Sequence, residues 1–180
     1  EKVNTTGDFT PAYCFLPSEN FRFIKASLEE KGFKVKVIFI MRDPVDRVLS
    51  HLRMDMRRKE IDKEFTEKRL RVFYKDIHCN RRTRYESVIC NLEKVFKKED
   101  IFYGFYENLF EKETLKRFAN FVEIPNLEFQ IDEKVNESSE ILKSSVIDQK
   151  ILKKVFRYYK KTYLFCYNKF DLKSLWNKEY

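Results

Sequence analysis

Val35-Lys36-Val37-Ile38-Phe39-Ile40-Met41-Arg42-Asp43-Pro44-Val45-Asp46-Arg47-Val48-Leu49-Ser50-His51 reads as a strand that runs straight into a helix. From Val35 to Met41 nearly every position is apolar and many are β-branched. That is the pattern of a strand buried on both faces, and hence of a parallel sheet. The strand stops at Arg42. Asp43 can cap the helix that follows, Pro44 suits its first turn, and Asp46 stands three residues past the cap. Val45, Val48, Leu49, Leu52 and Met56 then recur at helical spacing as one apolar stripe, with Arg47 and Ser50 off it. The turn thus presents a guanidinium and a hydroxyl where strand end meets helix start, the place at which open α/β sheets take anionic ligands. On pattern alone a second arrangement stays open, in which Arg42 pairs with Asp43 or Asp46 and Ser50 simply packs.

Upstream, Gly7-Asp8-Phe9-Thr10-Pro11-Ala12-Tyr13 is rich in turn formers. Ser18 is placed to cap a helix reaching about Glu30, with Phe21, Ile24 and Leu28 on one face and Gly32 closing it. Downstream, Arg57 to Arg84 is strongly charged and predicts a surface helix followed by a long loop. Tyr85, Val88, Ile89, Leu92, Val95 and Phe96 mark an amphipathic helix. Ile101 to Tyr106 reads as a second strand, Leu109 to Val122 as a helix, 123–145 as loop, and Ile147 to about Phe165 as a last helix, with Trp176 anchoring the tail. Strands alternating with helices predict an α/β fold, a parallel sheet flanked by helices.

The composition sets the class. The 180 residues are 43% hydrophobic and 16% aromatic, which excludes a disordered chain, and three glycines with four prolines leave little room for linkers. Residues 1–180 therefore read as a single domain. Lys and Arg outnumber Asp and Glu by 37 to 29, for a net +8. Much of that excess is lysine scattered among glutamates and is read as solvated surface, although a basic balance favours phosphorylated or polyanionic partners. Cys14, Cys79, Cys90 and Cys166 form no CxxC pair and suit buried thiols of a reducing compartment, with two disulfides still possible. With His51 and His78 the only histidines, a three-histidine zinc site cannot be built, and no metal is expected. No apolar run approaches the ~20 residues that span a bilayer.

Arg42-Asp43-Pro44-Val45-Asp46-Arg47-Val48-Leu49-Ser50-His51 resembles the 3′-phosphate-binding motif of sulfotransferases that use 3′-phosphoadenosine-5′-phosphosulfate (PAPS). That motif runs roughly RDPxxRxxSxY after a hydrophobic strand, and Leu52 departs from it at the aromatic. Flanking segments agree in order. Gly7 to Tyr13 resembles the family's Thr-Pro-x-Tyr segment, Phe105-Tyr106-Glu107-Asn108-Leu109 its "YEDL" strand end, and Val135-Asn136-Glu137-Ser138 its "VNxS" segment. The likeness is closest to the heparan-type and bacterial branch. It implies a P-loop-like sheet, PAPS as co-substrate, and transfer of a sulfuryl group to a hydroxyl or amine of a carbohydrate or small molecule. It also implies that Arg42 and Ser50 hold the 3′-phosphate, that Tyr106 borders the adenine, and that Asn136 and Ser138 lie in the nucleotide-binding set. Asp8 stands where that branch has a glutamate and is the candidate catalytic carboxylate on the acceptor side.

The departures are equally specific. The family's glycine-rich 5′-phosphosulfate loop has no counterpart in residues 1–6, so the missing strand–loop–helix is expected to precede Glu1. The branch's lysine in Glu-Lys-Thr-Pro is Phe9 here. His51, though near-neutral in its ordinary pKa, adjoins Ser50 and so points about 100° away from it on a helix. Two other readings remain: a nucleotide-3′-phosphate-binding module without turnover, and a basic nucleic-acid-binding domain carried by Arg81-Arg82-Thr83-Arg84-Tyr85. The second is disfavoured, because charge runs are commonly surface.

Overall fold

The computed structural model describes residues 5–57, 63–124, 129 and 147–177. The chain forms two compact units, the first from Glu1–Met41 with Ser87–Asp132, the second from Arg42–Glu86 with Glu133–Tyr180.

The first unit carries the sheet. Helix α1 (Ser18–Glu29) follows a short 3₁₀ turn, Pro11–Phe15. Ser18 is its first helical residue rather than its cap. Pro17 holds the cap position with extended backbone, and the Ser18 hydroxyl donates to Glu19. The helix closes as expected: Gly32 adopts φ +83°, its N–H reaches the Glu29 carbonyl, and the Phe33 N–H reaches that of Leu28. Only glycine takes that left-handed turn without strain.

Strand β1 (Val37–Met41) pairs in parallel with β2 (Ile101–Phe105), Val37 opposite Ile101 and Met41 opposite Phe105. One face of this sheet lies on a cluster of Phe21, Val88, Leu92, Phe96 and Ile101, with Val37, Phe39 and Tyr103 against it. The other is half covered. Phe102 is packed edge-on by Phe118 of α6 (Lys112–Phe121), with Phe121 beside it, whereas Ile38 and Ile40 remain 37% and 38% exposed. The expectation of a strand buried on both faces therefore needs correction. Helix α6 packs on β2. It leaves the outer side chains of β1 open.

In the second unit, α2 (Pro44–Arg57) packs on α3 (Lys63–Phe73), α4 (Ile77–Thr83) and α7 (Gln149–Tyr158). Its apolar stripe is as predicted: Val45, Val48, Leu49 and Leu52 are each at most 2% exposed. Arg57 to Arg84, expected as a surface helix and a long loop, instead holds two helices. Leu70, Phe73 and Cys79 are buried, and Asp76 caps α4 by accepting from the His78 and Cys79 N–H groups. The second helix was not expected, because the dense charge of this stretch hides the buried positions that set its period. Helix α5 begins at Tyr85 and ends at Glu93. The last predicted helix is divided at Tyr159 into α7 and α8 (Lys160–Phe170). Tyr159 is fully buried and its hydroxyl donates to the Tyr74 carbonyl at 2.5 Å. Trp176 does anchor the tail, 2% exposed.

Candidate functional site

The turn from Arg42 to Ser50 is built as its sequence requires. Asp43 is 2% exposed, and one carboxylate oxygen accepts from the Asp46 N–H at 3.0 Å. The Asp43 carbonyl accepts from the Arg47 N–H at 2.8 Å, the first bond of the α2 ladder. A buried carboxylate is costly unless its oxygens are satisfied. Here the second oxygen accepts from the Tyr163 hydroxyl at 2.8 Å, and that hydroxyl accepts in turn from the Val45 N–H at 3.3 Å. The first turn of α2 is thus capped by one residue of its own and one from α8.

Arg42 is fixed just as tightly through its backbone. The Tyr85 hydroxyl donates to the Arg42 carbonyl at 2.8 Å and accepts from the Arg42 N–H at 3.3 Å. Tyr85 is 2% exposed, and burial pushes its pKa well above the usual phenol value, so it remains a protonated donor. The half-buried Arg42 side chain stands at the start of a 14-residue helix whose first amides are taken up by Asp43 and Tyr163. Ser50, about two turns along α2, is also half buried.

The other side of α2 differs. The Arg47 guanidinium donates to His51 Nδ1 at 3.2 Å, and the His51 ring packs edge-on against Phe73 at 4.9 Å. Burial, then the charges of Arg47 and Arg82, pull the His51 pKa down to about 4. It is neutral at physiological pH, with Nδ1 already occupied. A cleft of about 270 Å³ opens there, where His51 and His78 meet both cations (Arg69, Arg82) and carboxylates (Asp55, Asp76). Arg42 and Ser50 do not line it.

Tyr106 opens the 3₁₀ turn after β2, 47% exposed, with Phe110 edge-on at 6.5 Å. Asp8 is exposed in the first unit. Its two oxygens accept from the Thr10 hydroxyl at 2.7 Å and from the Tyr13 hydroxyl, and these bonds hold its pKa below the usual carboxylate value. Asn136 and Ser138 lie outside the described residues. The structure therefore places Arg42 and Ser50 on one turn and helix, and Tyr106 and Asp8 in the first unit. Among the described residues, no group of three or more His, Cys, Asp or Glu side chains could hold a metal ion. Burial pushes the Cys79 and Cys166 thiols up to about 11 and 12, which leaves them unreactive.

Tyr85 and Tyr163 are the site residues that sequence reasoning missed. Tyr85 reads as one apolar position of an amphipathic helix, and nothing local links Tyr163 to a turn 120 residues earlier.

Over residues 18–162 the sequence matches the family described as the sulfotransferase domain. The chain belongs to that family. The matched span takes in Arg42, Ser50, Tyr106, Asn136 and Ser138 and leaves out Asp8. Searches of curated proteins and of solved structures returned no match.

Proposed function

We propose that this sulfotransferase domain uses PAPS as donor, with Arg42 and Ser50 gripping its 3′-phosphate, and delivers the sulfuryl group to a hydroxyl or amine of a carbohydrate or small molecule. The observation that carries this reading is the double tether of Arg42. One buried tyrosine hydroxyl holds both its N–H and its carbonyl, at the entrance of a capped helix. The tether fixes the backbone from which the Arg42 side chain leaves the strand–helix junction. Arg42 supplies a fork of donors to phosphate oxygens and Ser50 a single hydroxyl.

In the reaction, the acceptor oxygen or nitrogen forms a bond to sulfur as the phosphosulfate S–O bond breaks. The acceptor loses its proton, and adenosine 3′,5′-bisphosphate leaves. As in phosphoryl transfer, positioning and charge stabilisation supply most of the rate, and the 3′-phosphate grip is a remote contact that fixes the donor. Tyr106, half exposed at the end of β2, is assigned to the adenine, and Asn136 and Ser138 to the nucleotide, on the family resemblance. Asp8 is assigned to the acceptor side. Its lowered pKa suits it to orient the acceptor group by accepting a hydrogen bond more than to remove a proton outright.

The nucleic-acid reading loses its stacking platform, since Tyr85 is buried and its hydroxyl is engaged with Arg42. The test is thermal: adenosine 3′,5′-bisphosphate raises the melting temperature of the wild type and leaves that of Arg42→Ala unchanged. A wild type that is not stabilised at millimolar nucleotide ends the proposal.

A further inference from the structure

The net charge of the chain is not spread over its surface. Gln149 to Phe170, the span of α7 and α8, holds Lys150, Lys153, Lys154, Arg157, Lys160, Lys161 and Lys169 and no acidic residue, so 22 residues contribute +7 of the total +8. All seven cations are exposed, and the reading of the charge as lysine diluted among glutamates does not hold for this stretch. The fold puts the first six, Lys150 to Lys161, on one side. Ile151, Leu152, Val155, Tyr159, Thr162, Tyr163 and Cys166 are buried at helical spacing, and Lys150, Lys153, Lys154, Arg157, Lys160, Lys161 and Leu164 fill the complementary exposed stripe. The period carries across the break, because the Tyr159 N–H still bonds to the Val155 carbonyl and the Tyr163 N–H to that of Tyr159. No ion pair to the six cations from Lys150 to Lys161 is formed by another described residue.

We propose that this stripe docks the protein on an anionic membrane surface. Three features favour a lipid surface over a polyanionic chain. Six of the seven cations are lysines, compact point charges suited to a diffuse field, whereas bidentate recognition of individual phosphates or sulfates selects arginine. The aromatic side chains within the span are buried or half buried, so none is an exposed ring on which a base could stack. Leu164, 51% exposed, continues the cationic stripe and gives it an apolar side chain able to enter the headgroup layer. No helix among the described residues is long and apolar enough to cross a membrane, so this contact is peripheral. The inference stands apart from the donor site, since the stripe is the outer side of helices whose inner side braces Asp43 through Tyr163.

Each basic residue close to an anionic leaflet is worth about a fivefold gain in partitioning. The full chain is floated with vesicles of phosphatidylcholine alone and of phosphatidylcholine with phosphatidylserine at about a 7:3 ratio. The wild type partitions onto the second and not the first, and high salt reverses it. The quadruple change Lys153→Gln, Lys154→Gln, Lys160→Gln, Lys161→Gln lowers partitioning by roughly several hundredfold. It leaves melting temperature and bisphosphate binding as they were, because all four side chains are exposed. Leu164→Gln costs a further few-fold on the wild-type background. Undiminished partitioning by the quadruple variant overturns the proposal. So does equal binding to neutral vesicles, or tighter binding of polyuridylate or dextran sulfate than of vesicles at matched anionic charge.

Discussion

Asp43 shows what a single buried residue needs. Its carboxylate takes one bond from its own helix and one from Tyr163. Tyr163→Phe removes the hydroxyl that serves both Asp43 and the Val45 N–H. It is expected to destabilise the protein by about 1–3 kcal/mol in denaturant titration and to weaken bisphosphate binding through the disturbed turn. Tyr85→Phe acts one residue earlier, on the Arg42 backbone. His51 carries a pH signature. Its pKa falls from an ordinary 6.5 to about 4 on folding, so between those values the unfolded chain binds more protons and stability declines as the pH is lowered. Measured unfolding free energy should drop by up to about 3 kcal/mol between pH 7 and pH 4 through this group, and His51→Gln should flatten that part of the curve.

At the scale of elements, the sheet depends on a glycine. A Cβ on Gly104 would lie 2.6 Å from Ile40 Cδ1 and 3.1 Å from Phe102 Cε1. The Ile40 side chain is partly exposed and can turn away, but the Phe102 ring is held by Phe118 and Phe121. Gly104→Ala should therefore cost about 1 kcal/mol, and Gly104→Val about 2–3 kcal/mol as the larger side chain meets the ring that cannot yield. A second device joins α6 to the residues before β1. One Glu123 oxygen accepts from Lys34 and Lys36, both at 2.8 Å, from a backbone at φ +63°. Those lysines hold the Glu123 pKa down to about 2, so this contribution is present above the ordinary carboxylate range and fades as the pH falls toward 2. Elements with clean periods, β1, α2, β2 and α6, were legible in the sequence. Helix α4 was not, because charged residues masked its buried positions. The open side of β1 was not either, since an unbroken apolar run cannot report which neighbours arrive to cover it.

For the whole molecule, the sequence motif identified the family, and residues 18–162 carry that family's pattern. What it could not give was the bracing, because Tyr85 and Tyr163 reach Arg42 and Asp43 from 43 and 120 residues away. Nor did bulk composition locate the charge: +8 spread evenly and +7 gathered on α7 and α8 yield the same total. The central claim is that Arg42 reads a 3′-phosphate. Calorimetric titration with adenosine 3′,5′-bisphosphate and with adenosine 5′-monophosphate isolates that group. The account predicts that the wild type prefers the bisphosphate by about 10- to 100-fold, the worth of a charge-assisted bidentate contact, and that Arg42→Ala binds the two nucleotides alike. Equal affinity of the wild type for both nucleotides, or a preference that survives in Arg42→Ala, would contradict it.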